Sequence, residues 1–162
     1  MDSPQNINIK ILNLNDYETL KNFHSSCNSD YKISDQSFQN YLSMPQYKTV
    51  GLFFENNLIS YVIFLVNTDS ADIIYITTHP NFRRKGMASI LLNAPRGAFW
   101  CLKKNVNFHK MLHVEHFDVF LEVESDNVSA LNFYLKEGFE KISIRKNYSK
   151  GKDAILMIKN IL

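Results

Sequence analysis

The sequence predicts an α+β (mixed α/β) domain with a central, largely antiparallel sheet flanked by helices. Three observations predict it. Strand and helix signals follow one another in the order β-α-α-β-β-β-α-β-α-β-β. The middle of that order holds three strand signals joined by short turns, which is how antiparallel neighbours are connected. Finally, 162 residues with 45% hydrophobic and 21% charged content suit one compact unit able to bury a core without staples. No internal repeat or low-complexity linker interrupts the chain, so residues 1–162 are expected to form a single domain.

Each element has a local cause. Ile7–Asn13 alternates apolar and polar residues and forms a first strand. Asn15 or Asp16 caps a helix running to about Cys27, with Tyr17, Leu20, Phe23 and His24 along one side. Ser34 caps a shorter helix whose Phe38, Tyr41 and Leu42 face inward, and Met44-Pro45 ends it. Lys48–Glu55 and Leu58–Asn67 flank Asn56-Asn57, a dipeptide that tolerates the positive φ of a hairpin turn. The polar stretch Thr68–Asp72 turns the chain into Ile73–Thr78, and a helix starts near Lys85 after a basic loop. Val119–Val123 is short, apolar and β-branched, hence a strand. Asn127–Glu137 is a helix stopped by Gly138, and Phe139–Asn147 and Ala154–Ile161 are closing strands. Between them, Asn93-Ala94-Pro95-Arg96-Gly97 kinks or stops the helix begun at Lys85, and Asn105–Asp118 reads as a long polar connection.

Composition excludes several functions. A formal net charge of +2 is too small to argue for nucleic acid, so attraction for an anionic ligand must be local. Cys27 and Cys101 lie far apart in no metal-type spacing and read as reduced, buried thiols of a cytosolic protein. No signal-peptide pattern opens the chain, and no stretch approaches the ~20 apolar residues of a membrane span. The expectation is therefore a cytoplasmic protein that engages no membrane. His109, His113 and His116 would share a helix face near Glu115, a grouping that could suit a metal, but a polar surface insertion explains them better. No metal is expected.

Chemistry first shows at the strand IIYITT, followed by HPNF and then Arg83-Arg84-Lys85-Gly86-Met87-Ala88-Ser89. A strand feeding a basic loop and a helix start is a way to hold a pyrophosphate. The first amides of a helix have no intrahelical acceptor, and the dipole adds positive potential there. Gly86 removes a side chain where a phosphate must approach, and Ala88 is small. A solvated basic turn capped by glycine would give the same pattern, and the pattern alone leaves both readings open. A second feature is Glu122, a carboxylate among the apolar residues of a strand, with Tyr134 twelve residues on in the following helix. Spacing alone does not separate a catalytic pair from a solvent-facing glutamate and a core tyrosine.

These segments together resemble the GNAT superfamily, and within it the branch that acetylates protein N-termini, typified by the ribosomal-protein alanine N-acetyltransferase. The family's I-A-V-D-P strand is matched by Ile76-Thr77-Thr78-His79-Pro80, and its Q/R-x-x-G-x-G/A loop by Arg83 to Ala88. Its L-E-V-R-x-S-N, then A, L-Y and G-F, is matched by Leu121-Glu122-Val123, Asn127, Ala130, Phe133-Tyr134 and Gly138-Phe139. Its R-x-N-Y, D-A and M tail is met by Arg145, Asn147, Tyr148, Asp153-Ala154 and Met157. Tyr31–Phe38 resembles the segment before its second helix. The resemblance implies a splayed strand pair in which Ile76, Thr77 and Thr78 hold the pantetheine of acetyl-CoA, the co-substrate. It implies that Arg83–Ser89 binds the pyrophosphate and that Asn127 contacts the pantetheine. Glu122 would be the general base, Tyr134 the acid for the CoA thiolate, and Tyr31 and Tyr148 the walls of a peptide groove. The implied acceptor is a protein N-terminus, in a ribosomal or similar nascent chain, and the enzyme a monomer or weak dimer. Glu124 stands where the family has arginine and Ser149 where it has a second tyrosine. These two keep a small amine or a lysine side chain open as acceptor. A CoA-binding module without catalysis is the reading from another class, and the presence of both Glu122 and Tyr134 speaks against it.

Overall fold

The computed structural model describes residues 7–27, 31–93, 117–149 and 151–160. Among them the strands are β1 (Ile7–Ile11), β2 (Tyr47–Phe54), β3 (Asn57–Val66), β4 (Ser70–Thr78), β5 (Asp118–Glu124), β6 (Glu140–Ser149) and β7 (Lys152–Asn160). The helices are α1 (Tyr17–Ser26), α2 (Asp35–Ser43), α3 (Met87–Asn93) and α4 (Val128–Lys136). Their order along the chain is the expected one. The strands form one sheet in the order β1-β2-β3-β4-β5-β7-β6. The pairs β1/β2, β2/β3, β5/β7 and β6/β7 are antiparallel, whereas β4 and β5 run parallel. A parallel pair needs a crossover in place of a hairpin, and the chain between β4 and β5 includes α3. Their ladder runs from Ser70 with Asp118 to Ile73 with Leu121, and both strands continue past its last pair. Among the described residues no helix is long and apolar enough to cross a membrane.

The described residues group into two compact units. The first takes in those up to Val66 and from Ile74 to Asn93, and the second those from Asn67 to Ile73 and from Phe117 on. The first is centred on Leu12, Leu20, Phe23, Cys27, Phe38, Leu42, Leu58, Tyr61 and Ile63. The inward stripes of α1 and α2 are the predicted ones: Leu20, Phe23 and His24 are buried on α1, and Phe38 and Leu42 on α2. In the second unit β5 alternates, with Val119, Leu121 and Val123 buried and Glu122 between them half-buried. Leu131 and Tyr134 of α4 and Met157 of β7 are buried there too.

Three local expectations need correction. The hairpin between β2 and β3 turns at Glu55-Asn56, one residue before the predicted dipeptide. Both carry positive φ, +49° and +65°, and a two-residue turn of this hand demands that of both. Asp16, one of the two expected caps, stands at the N-cap of α1 but makes no side-chain cap bond to it, and Asn13 caps the turn before it. Its side chain accepts from the Asn15 N–H at 2.9 Å, the Asp16 carboxylate accepts from the Asn13 N–H at 3.0 Å, and a single 3₁₀ turn precedes α1. Finally, α3 begins at Met87, because left-handed backbone at Arg84 and Gly86 interrupts any earlier start. Cys101, the Pro95-Arg96-Gly97 interruption and the group His109, His113, Glu115 and His116 lie outside the described residues.

Candidate active site

The first unit carries the basic loop. At the end of β4, the Ser60 hydroxyl on β3 donates to the Thr77 carbonyl at 2.8 Å and lies 2.8 Å from the Thr78 hydroxyl. The His79 N–H then donates to the Ile59 carbonyl at 2.9 Å, and a 3₁₀ turn at Pro80–Phe82 leads into the loop. Ile76 and Thr77 are half-buried and Thr78 buried; Arg83 to Gly86 are exposed, while Met87, Ala88 and Ser89 are half-buried. Arg84 has φ +58°, a left-handed conformation that costs a side-chain-bearing residue roughly 1–2 kcal/mol. Gly86 follows at φ +81°, and among the described residues a Cβ built on it meets nothing within 4 Å. The Gly86 carbonyl accepts from the Ile90 N–H at 3.0 Å, so α3 starts with its first amides directed toward the loop. Open space over a glycine, beside exposed Arg84 and Lys85 and a helix start, fits a phosphate group.

Arg83 is turned elsewhere. Its Nε donates to the Thr78 carbonyl at 3.0 Å and its Nη2 to the Cys27 carbonyl at 3.1 Å. The guanidinium expected on the phosphate thus ties the loop to the C-terminal end of α1. Cys27 is fully buried and burial pushes its thiol up, in keeping with a structural cysteine. Tyr31 is 49% exposed, and its ring stacks on Tyr75 at 5.0 Å and 17°.

The second unit carries the carboxylate and the phenol. Glu122 Oε1 accepts from Arg145 Nη1 at 2.9 Å, with the glutamate side chain 25% exposed. The Arg145 guanidinium also lies 5.7 Å from the centre of the Tyr148 ring. One arginine on the edge strand β6 therefore joins the predicted base to a predicted peptide contact. Glu124, acidic where the family has arginine, pairs with Lys152 at 3.1 Å, and Lys152 also reaches Asp126 at 2.9 Å. The reversed charge is compensated on the spot. The tail motif has a structural cause as well. Asp153 accepts from Lys146 at 2.6 Å and from the Asn147 N–H at 3.2 Å, holding Asn147 at φ +52°, while Ala154 and Met157 are fully buried.

Asn127 caps α4, its side-chain oxygen accepting from the Ala130 N–H at 3.1 Å. Tyr134 on that helix is buried against Phe133 and Phe139, with ring centres 5.2 and 5.6 Å away. Burial of the ring pushes the phenol up to about 12. The stability consequence has a definite sign. An unfolded tyrosine ionises near 10.0 while the folded one keeps its proton to about 12. This contribution is complete below pH 10 and is lost as the pH rises toward 12, amounting to roughly 2–3 kcal/mol. Tyr61, raised further by burial, acts in the same sense. The urea midpoint should fall steeply across that window and less steeply in Tyr134→Phe; identical slopes would contradict the burial effect.

Among the described residues no group of three or more His, Cys, Asp or Glu side chains could hold a metal ion. A profile of the acetyltransferase (GNAT) family matches residues 14–139. The crystal structure of the ribosomal-protein-S18-alanine N-acetyltransferase of Escherichia coli is 23% identical over 96% of this chain and 94% of that one, with a TM-score of 0.75. Arabidopsis thaliana NAA60 in complex with a bisubstrate analogue is 17% identical over 96% and 98%, with a TM-score of 0.72. Arabidopsis thaliana Naa50 in complex with the bisubstrate analogue CoA-Ac-MVNAL is likewise 17% identical over 96% and 99%, with a TM-score of 0.72. At such identities the likeness is one of fold. No curated protein matches the chain by sequence.

Proposed function

The chain belongs to the acetyltransferase (GNAT) family, and from that premise we propose that it transfers acetyl from acetyl-CoA to the α-amine of a protein N-terminus, in a ribosomal or nascent chain. The observation that carries the acceptor half is the sharing of Arg145 between the Glu122 carboxylate and the Tyr148 ring. An enzyme that deprotonates the end of a peptide needs its base beside a surface that grips the peptide.

The roles divide as follows. Arg84, Lys85 and the amides of Met87, Ala88 and Ser89 bind the pyrophosphate, and Gly86 leaves room for it. Arg83 serves the loop by bracing it. The backbone of Ile76, Thr77 and Thr78 aligns the pantetheine, with Asn127 as a further contact. Tyr31 and Tyr148 line the peptide. Acetyl-CoA supplies the activated thioester. Glu122 takes a proton from the ammonium group through a water, and the neutral amine attacks the carbonyl carbon. The C–N bond forms, the C–S bond breaks, the nitrogen sheds its second proton to the departing thiolate, and no acyl-enzyme is needed. Tyr134 serves the leaving sulfur. A thiol near ~8.5 is a stronger acid than a phenol at about 12, so Tyr134 acts by donating a hydrogen bond to the departing thiolate, and the proton the thiolate takes is the one the acetylated nitrogen sheds.

Amine acidity favours this acceptor. An α-amine near ~8 loses its proton about 2.4 units more readily than a lysine near ~10.4, a difference of about 3.3 kcal/mol. The test is to supply acetyl-CoA with a peptide bearing a free α-amine and an internal lysine, the same peptide blocked at its N-terminus, and a small diamine. Mass spectrometry should locate the acetyl group on the α-amine. Acetyl found only on lysine or on the diamine would contradict the assignment.

A further inference from the structure

The acetyl-transfer chemistry gives His24, a buried polar residue of the first unit, no role. His24 sits on the apolar side of α1 with Leu20 and Phe23 and is 8% exposed. A polar ring in a core is costly unless its nitrogens are satisfied, and a leucine would pack there without that demand. Both nitrogens of His24 are satisfied. Nδ1 lies 2.7 Å from the Tyr61 hydroxyl and Nε2 lies 2.9 Å from the Tyr31 carbonyl. A carbonyl can only accept, so Nε2 carries the proton and Nδ1 accepts from the Tyr61 O–H. Tyr61 on β3 is fully buried, and burial pushes its phenol far up, which keeps it a donor. A chain of hydrogen bonds thus runs from the sheet, through the imidazole, to the backbone of Tyr31.

The rings are arranged to the same end. His24 stands edge-on to Phe38 at 5.4 Å and 74°, and to Tyr75 at 5.3 Å and 63°. Tyr75 in turn carries the stacked ring of Tyr31. Tyr31 is therefore held twice, by its carbonyl on the imidazole and by its ring on Tyr75. We propose that His24 is a positioning residue for the acceptor peptide, fixing Tyr31 through the Tyr61–His24–carbonyl chain. This rests on Tyr31 being a peptide contact, as proposed above.

Two measurements test it on the full chain. His24→Phe keeps a ring in the core and removes both hydrogen bonds; His24→Gln keeps a donor for the Tyr31 carbonyl. Steady-state kinetics should show the peptide KM of His24→Phe raised about tenfold, the equivalent of one or two lost hydrogen bonds, with kcat and the acetyl-CoA KM within about twofold. Chymotrypsin should cut the Tyr31–Lys32 bond about tenfold faster, because the scissile carbonyl is the one His24 holds. His24→Gln should recover part of both. Where His24→Phe does not fold, Tyr61→Phe takes its place, with smaller shifts in the same two quantities. An unchanged peptide KM would overturn the proposal, as would kcat and both KM values worsening together. If the unaltered protein acetylates no peptide, the acceptor assignment falls. The cleavage rates then still decide whether His24 holds Tyr31, and equal rates overturn that as well.

Discussion

Glu122→Gln should lower kcat/KM for the acceptor by about 10²- to 10⁴-fold, the range expected when a positioned general base is removed. The substitution is nearly isosteric, and the glutamine oxygen can still accept from Arg145, which now meets Glu122 at 2.9 Å. Arg145 is 64% exposed, so the lost ion pair should cost below about 1 kcal/mol of stability. A loss of rate with the unfolding midpoint kept therefore reports chemistry rather than folding. The pH profile supplies the second readout. With the base gone, the rise of rate with pH should flatten. An unchanged rate and profile would remove Glu122 as the base.

Tyr134→Phe should lower kcat by about 10²- to 10³-fold, the loss typical of one donor aimed at developing charge, while acetyl-CoA affinity stays put. The ring remains packed against Phe133 and Phe139, and only the hydroxyl is removed. Because burial holds that phenol up to about 12, the unaltered enzyme should show no loss of rate from its ionisation below about pH 11. Collapse of affinity with turnover retained would place the hydroxyl in cofactor binding instead.

What the sequence made legible was local. Ser34 caps α2 as predicted, its hydroxyl accepting from the Ser37 N–H at 3.1 Å, because a cap needs only three residues of context. The short, apolar, β-branched run Val119–Val123 likewise marked β5 and set Glu122 among its apolar neighbours before any partner strand was known. The residues that serve Glu122 were not legible. Arg145 reaches it only through the register of β5 on β7 and β7 on β6, with a shift along the β6/β7 ladder that no periodicity announces. The Arg83 brace was hidden for a similar reason, since its acceptor at Cys27 lies 56 positions away. A left-handed Arg84 contradicts its own propensity, and only the surrounding loop imposes it. His24 showed as part of an apolar stripe, while the two bonds that explain it come from β3 and from Tyr31.

Calorimetric titration with acetyl-CoA tests the central claim most directly, comparing the unaltered protein with Gly86→Ala and Gly86→Glu. Alanine at φ +81° adds backbone strain of about 1–2 kcal/mol but meets no atom of the described residues, and so controls for strain alone. Glutamate adds bulk and negative charge where the phosphate belongs. Saturable one-to-one binding that weakens in the alanine variant and vanishes in the glutamate variant is the predicted result. No binding at millimolar ligand, or equal binding by Gly86→Glu, would contradict it.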